Sequence, residues 1–78
     1  MISAEMIRQI HAAIQDLPPR CKLIFKLVKE EGFKYKEVAQ LLQVSVKTVE
    51  NQMSLAFKKI GTAIKLKLPH LTATFSKN

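Results

Sequence analysis

The sequence predicts a small all-α domain of four helices in 78 residues. Three observations carry that prediction. Apolar residues recur at three- and four-residue steps along four separate stretches, the period of one helix face. Pro18, Pro19 and Gly32 fall at the junctions between stretches, and two glycines and three prolines in all leave little room for a turn-rich β protein or a β wing. An apolar content of 47% supplies a core for one domain, although a chain this short buries only about 60% of the surface it exposes when unfolded.

Ser3 is placed to cap the first helix, in which Met6, Ile10, Ala13, Ile14 and Leu17 form one stripe. Pro18 and Pro19 end it and open the second, because proline suits a first helical turn. The second helix is expected from about Pro19 to Glu31, with Cys21, Ile24, Phe25, Leu27 and Val28 as its apolar face and Gly32 as a left-handed C-cap. A short third helix follows from Tyr35 to Leu42, with Val38, Leu41 and Leu42 facing inward. Gln43 and Val44 make a turn, and Ser45 caps a fourth helix reaching about Leu66. In it Val49, Met53, Ala56, Ile60 and Ile64 form a single stripe with Phe57 beside them, interrupted only by Gly61. The expected core centres on Val38, Ala39, Leu42, Val44, Val49, Met53, Phe57 and Ile60. Residues 1–68 make the domain, and the polar stretch 69–78 is expected to be a flexible tail.

Net charge is +7 and uneven: residues 1–32 carry five basic and four acidic side chains, and residues 33–78 carry eight and two. A cationic second half attracts phosphates whatever their base sequence, although a solubilising surface has the same composition. Cys21, the one cysteine, falls on an apolar stripe and reads as a small core residue. His11 and His70 form no ligand-spaced cluster with it, so no metal or other cofactor is expected. No apolar run approaches the roughly 20 residues of a membrane span, and the N-terminus lacks the order of a signal peptide. The chain is therefore expected in the cytoplasm, as one module of a longer protein.

The stretch Glu37 to Met53 organises the reading. Ala39 stands where two helices must approach closely, Val44 and Val49 close the corner between them, and Ser45 opens the second. That is the spacing of a helix-turn-helix, whose second helix enters a DNA major groove. Lys47, Glu50, Asn51 and Ser54 occupy the outward side of that helix in its first turns, where base edges come within reach. Asn bonds an adenine edge, Lys donates to guanine and Glu accepts from cytosine N4. Tyr35, Lys36 and Ser45 begin the third and fourth helices, whose free N–H groups and dipole favour phosphate. Thr48, in the same first turn as Ser45, and Lys22, Lys34 and Lys58 are assigned to the backbone with them. The alternative for all of these side chains is an ordinary solvated surface. Nothing in the chain resembles a nucleophile–base pair or a phosphate loop, and no enzyme activity is expected.

From Leu17 to Ile60 the sequence resembles region 4 of bacterial sigma factors, most like the extracytoplasmic-function group. The matching features are LPPR at 17–20, Phe25, EGFKYKEVAQLL at 31–42 with Glu30 before it, VSVKTVENQ at 44–52 and AFKKI at 56–60. The resemblance implies a four-helix domain that recognises the promoter −35 element, docks on the β flap of RNA polymerase core, and has an anti-sigma factor as a further candidate partner. It also implies base reading at positions 50, 51 and 54. Three positions depart from the family pattern: Gln43 where glycine is usual in the turn, Lys34 where a serine often caps, and Leu55 where an arginine is common. Two other readings stay open. One is the DNA-binding domain of a LuxR-type response regulator, which shares the Ser-x-x-Thr-Val run. The other is a module that acts mainly through protein contacts, such as binding an anti-sigma factor.

Overall fold

A computed structural model describes residues 3–67, with side chains described to Lys65. The expected tail at 69–78 lies outside the described residues. Within them the fold is all α: α1 is Ala4–Gln15, α2 Pro19–Lys29, α3 Tyr35–Leu42 and α4 Val46–Lys67. α4 is the spine, since each of the other helices packs on it, and α2 also meets α3. No strand occurs among the described residues.

Local chemistry sets the boundaries. Ser3 Oγ accepts the Met6 N–H at 3.1 Å and caps α1. α2 starts with proline in its first turn and ends at Lys29, two residues before the expected Glu31. The ladder breaks there because Glu30 and Glu31 both donate to the Lys26 carbonyl, at 2.8 and 3.1 Å. Gly32 then takes φ +81°, the left-handed conformation foreseen for it. α3 opens on half of a capping box: the Glu37 carboxylate accepts the Lys34 N–H at 2.8 Å. Lysine has no acceptor to return the bond, so the departure at Lys34 costs that second contact.

The corner after α3 is a Schellman motif. Val44 N–H donates to the Ala39 carbonyl at 3.0 Å and Gln43 N–H to the Gln40 carbonyl at 3.3 Å. Both bonds require Gln43 to be left-handed, and its φ is +57°. α4 then starts on Ser45, whose Oγ accepts the Thr48 N–H at 3.0 Å.

The core unites Ile14, Leu17, Cys21, Ile24, Phe25, Val38, Ala39, Val49, Met53 and Ala56. Leu42, Val44 and Ile60 pack at its edge, half-buried. Two expectations need correction. Leu41 is 59% exposed rather than inward-facing, because an eight-residue helix resting on α4 and α2 buries one narrow side, filled by Val38 and Ala39. Phe57 is 48% exposed rather than core. Its ring lies at the margin of the α2–α4 contact, edge-on to Phe25 at 5.9 Å between centroids, with Lys29 Nζ 5.4 Å from its centre. Such an exposed cation–π contact contributes about 0.5–1 kcal/mol.

Candidate nucleic-acid interface

α4 is buried along one side and free along the other. Val49, Met53 and Ala56 are at most 1% exposed, so the helix is firmly seated on its apolar stripe. Its rotation is thereby fixed, and Lys47, Glu50, Asn51 and Ser54 are all exposed. A backbone anchor adds to this seat: the Cys21 thiol donates to the Gln52 carbonyl at 3.3 Å, tying α2 to α4. Burial pushes the Cys21 thiol above its ordinary range, against a smaller lowering by Lys59, so it stays a neutral donor.

The residues assigned to the DNA backbone separate into three kinds. Lys34, Lys36 and Lys58 are exposed with free reach to solvent. Ser45 and Thr48 build the cap, their hydroxyls 3.0 Å apart, so their side chains shape the end of α4 before they can touch a phosphate. Tyr35 is half-buried against the core, and Lys22 is half-buried with its Nζ 3.4 Å from Gln15 Oε1. These last two have their side chains partly engaged by the protein itself.

A second surface lies further along α4. A groove of about 550 Å³ runs between the end of α1 and the middle of α4. Ala13, Leu17, Leu55 and Ala63 give it an apolar floor, and Lys58 and Lys59 stand in its lining opposite Asp16. Residues 47–54 and 55–63 are centred about 13 Å apart along the helix axis. One helix thus offers a polar tip and an apolar flank at different heights. The resemblance implies a shallow apolar docking groove between the first two helices and the end of the fourth; Asp16, Lys59, Thr62 and Ala63, which line this one, are not singled out in the sequence, because a groove between two helices leaves no periodic signal within either one.

Among the described residues no helix is long and apolar enough to cross a membrane. Among the same residues no group of three or more His, Cys, Asp and Glu side chains is placed to hold a metal ion.

Comparison with known families gives a match to the model for sigma-70, region 4, over residues 7–60. Neither the curated proteins nor the solved structures give a match. The matched span takes in most of α1, all of α2 and α3, and α4 as far as Ile60.

Proposed function

The chain belongs to the sigma-70 region 4 family, and from that premise we propose that it reads the promoter −35 element with the first turns of α4 while the module docks on RNA polymerase. The family is one of DNA-binding domains of transcription initiation, not of enzymes, and its general partners are promoter DNA and RNA polymerase. The observation that carries the finer reading is the fixed rotation of α4. Val49, Met53 and Ala56 of its apolar stripe are buried while Lys47, Glu50, Asn51 and Ser54 all face solvent. A helix held this way presents one defined set of donors and acceptors to a groove, as base discrimination requires. Lys34 and Lys36, at the start of α3, supply the sequence-independent attraction to phosphate. The work belongs in the cytoplasm, beside the polymerase.

The groove between α1 and α4 is our choice for the polymerase β flap. It is apolar at its floor and centred about 13 Å along α4 from the base-reading set, so DNA and protein can be held together. Leu55 favours a second reading at the same place. This half-buried leucine lines the groove, at the position where the resemblance to region 4 implies an arginine. A side chain given over to a protein-binding groove suits a module covered by an anti-sigma factor.

The test is a fluorescence-anisotropy titration of the chain against a library of −35-like duplexes at two salt concentrations. Sequence-dependent binding that weakens with salt is expected. Salt-dependent binding with no sequence preference would leave only a basic surface and shift the main role to protein contacts.

A further inference from the structure

Val46 is the one exposed apolar side chain within the first turns of α4, and neither the base-reading set nor the core accounts for it. It is the first residue of the helix and 40% exposed, whereas Val49, three residues on, is fully buried. Val46 and Lys47 lie one turn before Glu50 and Asn51, at i, i+1, i+4 and i+5. Pairs four apart sit above one another on a helix surface, so these residues form two adjacent rows at the leading end of α4.

We propose that Val46 reads the C5-methyl of a thymine in the major groove, beside the polar contacts of Lys47, Glu50 and Asn51. This rests on the DNA-reading role proposed above. The chemistry of the groove supports it. Lysine, glutamate and asparagine bond the acceptors and donors of guanine, cytosine and adenine, whereas the methyl is the apolar mark of thymine and calls for an apolar partner. Val46 is β-branched, so its χ1 is restricted and its methyls are held with little freedom to lose on contact. An exposed valine also gains from leaving water on a methyl surface, a gain unavailable where the base presents only polar groups.

The probe is deoxyuridine, which keeps the hydrogen-bonding edge of thymidine and lacks the methyl. Each thymine of the preferred −35-like duplex is replaced in turn, and affinity is measured for the wild-type chain and for Val46→Ala. One replacement is expected to weaken wild-type binding about fourfold, the worth of one methyl removed from water. Val46→Ala should weaken binding to the parent duplex by a similar factor and respond no further to that replacement. Circular dichroism melting checks that the exposed substitution leaves the fold intact. Equal binding of every deoxyuridine duplex overturns the proposal. So does a Val46→Ala chain that still feels the missing methyl, or a preferred site with no thymine. In all three cases sequence-dependent binding persists and the −35 reading stands. A chain with no sequence preference at all overturns both.

Discussion

Replacing Gln43 by glycine tests the corner on which the DNA-binding geometry rests. Gln43 holds φ +57° and ψ +45°, the left-handed region in which a Cβ crowds the following carbonyl. That strain costs roughly 1–2 kcal/mol in a residue other than glycine. The side chain is exposed, so its removal sacrifices no packing. Both Schellman bonds use backbone groups that glycine keeps. Against the relief stands the greater freedom of glycine in the unfolded chain, about 0.4–1 kcal/mol. The balance is a stabilisation of about 0.5–1 kcal/mol, and in a domain of this size it raises Tm by about 2–8 °C. Thermal melting followed by circular dichroism measures it, with Gln43→Ala as the control. Alanine retains the Cβ and should melt near the wild type. DNA affinity of the glycine variant should be unchanged, because α4 keeps its seat. A lower Tm for Gln43→Gly, or an equal gain for Gln43→Ala, would refute the strain argument.

Five further outcomes follow from other residues. Asn51→Ala should cost about 1–3 kcal/mol on the preferred duplex and little on scrambled DNA, since a base contact is lost and not a charge; equal losses on both would remove Asn51 from the reading set. Lys36→Gln should instead weaken binding to all duplexes alike and lower the salt slope by about one; an unchanged slope would place Lys36 away from the phosphates. Leu41→Ala should shift stability by no more than about 0.5 kcal/mol, as exposed substitutions do, whereas Val49→Asp buries an unpaired charge and should abolish cooperative melting; a melting transition retained by the aspartate variant would refute the core placement of Val49. The Cys21 pKa is raised by burial, so its stabilising contribution is complete below the unfolded thiol's pKa and lost as pH rises from there through the folded value. Wild type should therefore lose more urea resistance than Cys21→Ala between neutral and alkaline pH, and parallel losses would count against a buried neutral thiol.

The elements legible in the sequence are those fixed by local chemistry. Ser3 and Ser45 cap where they were placed, α3 spans Tyr35 to Leu42 as expected, and the stripe Val49, Met53, Ala56 is buried. Each rests on residues within one or two turns of one another. The misreadings at Leu41 and Phe57 share another origin. Both lie close enough to an apolar stripe to belong to it by periodicity, yet the width of the buried strip is set by the neighbouring helix. For α3 that strip admits Val38 and Ala39 and excludes Leu41.

The same limit applies to function. Val46 has no place in the apolar stripe or the polar set read from the sequence, and it is exposed because the helix begins there and no preceding turn covers it. Leu55 looks like a missing DNA contact until its place in the groove with Leu17 and Ala13 is known. In neither case does residue type alone assign the side chain a task on the DNA-facing helix. Position along α4 decides instead. Under the proposed assignments an apolar group at the tip would face a base and one on the flank a protein, which gives a single helix two tasks at different heights. A variant that impairs one task alone, Val46→Ala for DNA, is the natural test of that division.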